Sequence, residues 1–188
     1  MNATTNTVLT PGTDAAVEGQ LASMETHFKV QQLYFLEAEM LDEGRFGDWL
    51  EMLADDLHYW APGRTNRLRR QQSLSVAQPG TQAFYDETKE SIAWRIRRFD
   101  TGLAWSEDPP SRTRHLISNV TVHEHPDGLI ARSNFLVYRN RLEKETNVFA
   151  GGRTDLLREG GVHGFEIAKR TLLFEANVLQ AKNISTFF

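Results

Sequence analysis

The sequence predicts an α+β domain in which a short set of helices packs on one strongly curved antiparallel sheet. Apolar residues recur at helical spacing through the first half of the chain, and from about residue 113 the period drops to two. The strand-like segments are separated by short Gly- and Pro-containing turns, which favours antiparallel pairing of sequence neighbours. The 188 residues suit one domain, expected over 23–188. Residues 1–22, rich in Thr, Asn, Ala and Gly, read as a flexible arm with a turn at Pro11 and Gly12.

A first helix is predicted over 23–43, with Phe28, Leu33, Leu36, Met40 and Leu41 at helical spacing. Ser23 suits its cap and Gly44 its end. A second, shorter helix carries Phe46, Trp49, Leu50 and Leu53 on one face, and Asp55 and Asp56 close it. Leu57, Tyr59 and Ala61 then alternate with His58 and Trp60 in a short strand stopped by Pro62 and Gly63. No periodic element is evident over 64–85, which holds Arg64, Arg67, Arg69 and Arg70 and no acidic residue. Connections this long are usually functional or disordered. The charge suits a solvated loop, docking against an acidic or backbone-rich surface of a protein partner, or a nucleic-acid contact. A third helix is expected from Asp86, as its cap, to about Leu103, burying Ile92, Ile96, Phe99 and Leu103.

Strands follow over 113–122, 129–142, 147–158 and 165–178, with turns at His125-Pro126-Asp127-Gly128 and Glu159-Gly160-Gly161. Gly151 and Gly152 fall inside one strand, where they permit a bend or bulge. Counted straight along the last strand, Phe165, Ile167, Thr171 and Leu173 share one face and Ala168, Leu172, Phe174, Ala176 and Val178 the other. Two partly apolar faces call for a second covering layer, expected to come partly from a neighbouring chain.

Composition narrows the function. The chain has no cysteine, which excludes a thiolate nucleophile, a cysteine-ligated iron–sulfur cluster and a disulfide scaffold. The net charge of −4 argues against nucleic-acid binding as a property of the whole chain. No apolar run approaches the ~20 residues of a membrane span, and the N-terminal residues lack a secretory pattern, so a cytoplasmic location is expected.

Chemistry-bearing motifs are few. His123 and His125 have i,i+2 spacing but no evident third ligand, so no metal site is assigned. Asp56 and His58 fall on one strand face, where a carboxylate could orient the ring as a general base; the alternative is that Asp56 ends a helix and His58 hydrogen-bonds across a subunit contact. Arg139 and Arg141 share a face with Arg132 opposite, fit either to clamp a substrate carboxylate or to pair with residues such as Glu143 or Asp155. No phosphate loop or nucleophile elbow is present. No residue is assigned a catalytic, cofactor-binding or metal-ligating role.

Several stretches, taken jointly, resemble a known family. They are Asp55-Asp56-Leu57-His58-Tyr59-Trp60-Ala61-Pro62, the run Trp105 to Val120 containing Ser111-Arg112-Thr113-Arg114-His115, Val137-Tyr138-Arg139-Asn140-Arg141-Leu142-Glu143, Ala168-Lys169-Arg170-Thr171-Leu172-Leu173, and Lys182-Asn183-Ile184-Ser185-Thr186-Phe187-Phe188. Together they are similar to the small, or beta, subunit of bacterial aromatic-ring-hydroxylating dioxygenases of the benzene, biphenyl and cumene type. The likeness runs from about Gln31 to Phe188.

The resemblance implies a cone-shaped fold of the NTF2-like kind and a structural role in an alpha3beta3 hexamer. It places a Rieske iron–sulfur cluster and a mononuclear non-haem iron in the alpha subunit, which would form cis-dihydrodiols from aromatic hydrocarbons and dioxygen. NADH-derived electrons would arrive through a reductase and ferredoxin. The lack of cysteines in this chain agrees with that division. The alternatives are a stand-alone cone-fold dehydratase or isomerase using Asp56 and His58, or a homo-oligomer that binds a small ligand. Ile184, Phe187 and Phe188 form an apolar ending, expected to be tied into the domain or pressed on a neighbour.

Overall fold

The computed structural model describes residues 19–101 and 107–188. Helix α1 spans Met24–Asp42, and Ser23 caps it by accepting from the Thr26 backbone N–H at 3.1 Å. Its end is a left-handed turn: Gly44 has φ +72°, and Arg45 N donates back to Met40 O at 2.8 Å. Val30, Leu33, Tyr34, Glu37, Met40 and Leu41 form the buried stripe, whereas Phe28 is exposed.

Helix α2 is one turn shorter than expected, Phe46–Leu50, because Leu53 already begins strand β1, Leu53–Pro62. Asp55 and Asp56 therefore lie in a strand, where adjacent register points shift between Leu53 and His58. A short 3-10 turn, Arg69–Leu74, and strand β2, Ala83–Glu87, occupy the stretch that lacks sequence periodicity. Asp86 belongs to β2 rather than to a helix cap. Helix α3, Lys89–Asp100, is instead capped by Thr88, which exchanges hydrogen bonds with Ser91 in a capping box. Its stripe Ile92, Ile96 and Phe99 is buried or half-buried as expected, while Leu103 lies outside the described residues.

Four long strands follow: β3 Arg112–His125, β4 Gly128–Arg141, β5 Glu145–Glu159 and β6 Phe165–Phe174. The six strands form one sheet in the order β2-β1-β6-β5-β4-β3. Every neighbouring pair is antiparallel except β1 and β6, which run parallel, so the sheet is mixed rather than wholly antiparallel. α1 packs on β3 and α3 on β1, which gives the helices-on-one-face arrangement.

Irregularities bend this sheet, but not where the glycines suggested. β4 and β5 pair without a register shift through Gly151 and Gly152. The shifts fall instead between Ser118 and Thr121, beside Asn119 at φ +53°, and between Leu156 and Leu157 against β6. The second shift matters most. Leu157 pairs with Ile167 and Leu156 with Lys169, which leaves Ala168 as the extra residue. Parity therefore flips at Ala168, and Phe165 and Ile167 join Leu172 and Phe174 in the main core. Ala168 turns to the opposite face with Ala54, Ile130 and Leu156. Over Phe165–Phe174 both faces of β6 are thus largely buried within the chain itself, while Val178, beyond its end, is exposed. One uncovered apolar group lies across β3, β4 and β5: Leu116, Leu136, Tyr138 and Val148.

Residues 1–18 of the expected arm lie outside the described residues; residues 20–22 run beside β3, with Ala22 N donating to Val122 O at 3.0 Å and Glu124 N to Gln20 O at 2.8 Å.

Candidate functional site

The concave side of the sheet holds a buried group of charges. Each strand position follows from the registers just described. Arg153 and Asp155 are two residues apart on β5 and so share a face, and Asp155 pairs directly with Arg170 on β6. Glu37 descends from α1 between Tyr34 and Leu41, inside an otherwise apolar stripe.

These side chains bond one another, although the buried Arg153 Nη2 has no hydrogen-bond partner. Arg170 grips Asp155 with both arms of its guanidinium, Nε to Oδ1 at 2.9 Å and Nη2 to Oδ2 at 2.7 Å. Its Nη2 also reaches Glu37 Oε2 at 3.0 Å, and its Nη1 donates to the backbone oxygen of Phe188 at 2.8 Å. Arg153 pairs with Glu37 at 3.0 Å, donates from Nε to Ser133 Oγ at 2.9 Å, and lies 4.1 Å above the Tyr34 ring. Trp49 Nε1 donates to Glu37 Oε1 at 3.0 Å, and Tyr34 OH to Asp155 Oδ2 at 2.8 Å. Two carboxylates and two guanidinium groups balance, and all four residues are at most 2% exposed.

Burial would raise the Glu37 carboxyl, but Arg170 and Arg153 outweigh it and hold the group down at about 2. The Arg170 guanidinium feels the opposite pull. Burial favours its neutral form, yet Asp155 and Glu37 together keep it charged. The Tyr34 hydroxyl is pushed well up by burial and then by Asp155, so it serves as a hydrogen-bond donor and not as an acid.

Phe187 and Phe188 close the interior. Both are at most 2% exposed; Phe188 packs against Phe135, Phe149 and Phe174, with ring centroids 4.9–5.5 Å away. Phe187 lies 4.7 Å from Trp49. The apolar ending is thus tied into the domain, as its composition suggested.

Beside Phe187 lies a recess of about 600 Å³ that also includes Asp42, Glu107 and His115. His115 is a buried histidine that sequence reading did not single out. Its Nδ1 meets Asp42 Oδ1 at 2.5 Å, and its Nε2 is engaged by Phe187 O at 2.9 Å. Both ring nitrogens are therefore committed within the chain. Burial would raise the Asp42 carboxyl, but hydrogen bonds from His115 outweigh it and lower the group. Glu107 is lowered in the same way, by Ser185, Ser111 and Arg139. The dyad has the composition of an acid–base pair and the connectivity of a strut joining α1, β3 and the last residues.

The candidates from sequence lie elsewhere. Asp56 and His58 do not meet: Asp56 pairs with Arg158, and His58 Nε2 lies 2.9 Å from Asp86 Oδ1 at an exposed position. Arg139 is buried and bonds Glu107, Ser111 and Asn183, while Arg141 bonds the backbone of Asp108 and Pro109. Asp155 pairs with Arg170 rather than with Arg139 or Arg141. His125 Nδ1 accepts from Asp127 N within its own turn. Among the described residues, no group of three or more His, Asp or Glu is placed to hold a metal ion. No helix there is long and apolar enough to cross a membrane.

The buried charges did leave a trace in the sequence. Glu37 interrupts the apolar stripe of α1, and Arg170 stands inside the apolar run of β6. A charge in such a place must find a partner from another element, and which element supplies it depends on register.

Comparison with known proteins agrees with this architecture. The ring hydroxylating beta subunit family matches residues 36–181. The chain is 40% identical over 163 residues to the biphenyl 2,3-dioxygenase subunit beta of Rhodococcus jostii (strain RHA1), covering 85% of this chain and 87% of that protein. It is 41% identical over 167 residues to the chlorobenzene dioxygenase subunit beta of Cupriavidus sp. (strain PS12), covering 87% and 89%. Among solved structures, a chain of naphthalene 1,2-dioxygenase with indole bound in the active site superposes with a TM-score of 0.77 at 20% identity, covering 89% of this chain and 88% of that one. Its fold is the cone-shaped NTF2-like α+β fold, and on the strength of the sequence matches the chain belongs to the ring hydroxylating beta subunit family.

Proposed function

We propose that this chain is the non-catalytic beta subunit of an aromatic-ring-hydroxylating dioxygenase. One observation carries the reading: the cone is filled by the chain's own Glu37, Arg153, Asp155, Arg170 and Phe188, where a cone-fold enzyme would need space for a substrate. The potential acid–base groups are also committed, His115 to Asp42 and Phe187 and His58 to Asp86. Family membership supplies the partner, an alpha subunit, in a proposed alpha3beta3 hexamer.

In this reading the alpha subunit holds the Rieske cluster and the mononuclear non-haem iron, and forms cis-dihydrodiols from aromatic hydrocarbons of the benzene or biphenyl class. A ferredoxin and a reductase bring electrons from NADH, and the assembly works in the cytoplasm. This chain offers neither the two cysteines of a Rieske site nor a described His and carboxylate cluster for iron. Its contribution is a rigid cone on which alpha subunits are held in fixed geometry.

The test is to co-express the chain with the alpha subunit encoded beside it, and to measure mass, iron content and aromatic-dependent oxygen uptake of the purified complex. A mixed complex whose iron and oxygen uptake follow the alpha subunit is expected. Stoichiometric iron in this chain purified alone, or no association with alpha, would sink the reading.

A further inference from the structure

The stretch after β1 forms an arm with a closed base. Arg64 bridges antiparallel to Val76, Thr65 N donates to Ser75 O at 2.8 Å, and Ala77 N to Gly63 O at 2.9 Å. Ser75 is buried, yet every residue over 65–74 is exposed. Two of them, Leu68 and Leu74, are large apolar side chains, each 63% exposed.

The arm is also strongly basic. Four arginines and no carboxylate fall within 64–85, in a chain of net charge −4. Arg64 is held at the base by Glu175. Arg67 donates from Nε to Thr65 Oγ1 at 3.3 Å, within the arm, and Arg69 and Arg70 stand in its 3-10 turn. Among the described residues, no ion pair joins Arg67, Arg69 or Arg70 to a carboxylate of this chain. Beside the arm lies a recess of about 520 Å³, with Leu74, Phe84, Val178, Leu179, Ala181 and Ile184 in its wall.

We propose that this arm and recess dock an acidic segment of the alpha subunit that carries a large apolar side chain, an inference that rests on the function proposed above. Arginines supply hydrogen-bonding forks for carboxylates and are enriched at protein interfaces. The exposed leucines and the apolar recess receive the apolar part of the segment. A nucleic-acid ligand would use the charge but leave Leu68, Leu74 and the recess wall without a role. The arm bears no aromatic side chain on which a base could stack.

Three variants separate these roles: Arg67→Glu with Arg69→Glu and Arg70→Glu; Leu68→Ser with Leu74→Ser; and excision of 66–74 with a two-residue turn joining Thr65 to Ser75. The antiparallel base makes the excision compatible with a tight hairpin, and an unchanged melting curve confirms folding of each variant. Association with the purified cognate alpha subunit is followed at low and high salt. Charge reversal should slow association about tenfold or more at low salt and flatten its salt dependence. The leucine variant should mainly raise the dissociation rate, by about tenfold.

An excision variant that folds and binds alpha at the wild-type rate and affinity overturns the proposal. So does a change confined to self-association of this chain, or a wild-type chain whose arm binds single-stranded DNA in place of alpha. Failure of the wild-type chain to bind alpha at all removes the proposed function and the arm together, and is distinguishable from loss of the arm's role alone.

Discussion

Tyr59 and Phe188, 129 residues apart, exchange two hydrogen bonds: the Tyr59 hydroxyl donates to Phe188 O at 3.0 Å and accepts from Phe188 N at 2.9 Å. The same oxygen receives Arg170, so β1, β6 and the last residues meet at one buried point. Because burial pushes the Tyr59 hydroxyl upward, it stays protonated and the link persists through the neutral range.

Removing Phe187 and Phe188 should therefore do more than trim a tail. It empties space among Trp49, Phe135, Phe149 and Phe174 and strips His115 and Arg170 of backbone acceptors. Truncating one buried Phe commonly costs about 3–5 kcal/mol, a large share of a domain's ~5–15 kcal/mol. The shortened chain should melt markedly lower and yield less mixed complex, with activity tracking the amount assembled. Wild-type melting would show that these rings contribute little.

Arg170→Met should be among the most damaging single substitutions. It leaves the Glu37 and Asp155 carboxylates buried with only Arg153 nearby, and breaking a buried pair from one side costs about 3–5 kcal/mol. Denaturant unfolding measures this. Replacing Arg170 together with Glu37 and Asp155 by apolar residues of similar volume should recover much of the loss, because no lone charge then remains.

Acid should weaken the fold over a defined range. Glu37 sits at about 2 in the folded chain against an ordinary 4.5, so its contribution is present above 4.5 and is lost as pH falls from there toward 2. The span corresponds to on the order of 3 kcal/mol. Asp42 and Glu107 are lowered too, and act in the same direction. Unfolding midpoints measured between about pH 2 and pH 6 should fall steeply below 4.5, and Glu37→Gln should flatten that slope. An equal slope in the variant would place the acid sensitivity elsewhere.

The two adjacent glycines of β5 should respond oppositely. A Cβ on Gly151 would stand 2.3 Å from Leu173 O and 2.7 Å from Phe135 Cζ, whereas at Gly152 the nearest atom is 3.8 Å away. Gly151→Ala should cost about 1–3 kcal/mol through overpacking. Gly152→Ala should be neutral or stabilise by about 0.4–1 kcal/mol through the unfolded state. Calorimetric melting of the pair distinguishes them directly, and equal effects would contradict the packing described.

His58→Ala should leave ring hydroxylation in the assembled, iron-replete complex almost unchanged. His58 faces solvent beside Asp86 and Trp60, away from the cone. Loss of a true general base would cost about 10²–10⁴-fold in rate. A deficit of that size in the intact complex would restore the acid–base reading.

Local pattern was sufficient for much of the chain. Ser23 and Gly44 bracket α1 because capping and a left-handed turn are short-range chemistry, and the turn before Gly128 is set by its own residues. The switch of period near residue 113 identified the sheet. Resemblance carried by dispersed motifs pointed to the beta-subunit family, which the sequence matches bear out. By contrast, β2 has only five residues and gains its identity by pairing with β1, so its own sequence carried little signal.

The buried site depended on events that no local pattern records. The extra residue at Ala168 reverses the strand's parity, so counting by twos from Phe165 puts Arg170 on the wrong side relative to Ile167. The parallel pairing of β1 with β6 joins segments more than a hundred residues apart, and it is what sets Tyr59 beside Arg170. Residue types alone determined that the chain would build a helix-backed curved sheet and that Glu37 and Arg170, if buried, needed partners. Which charges met was decided by the tertiary structure, because a hydrogen bond in the core depends on register and distance, and both are properties of the packed strands.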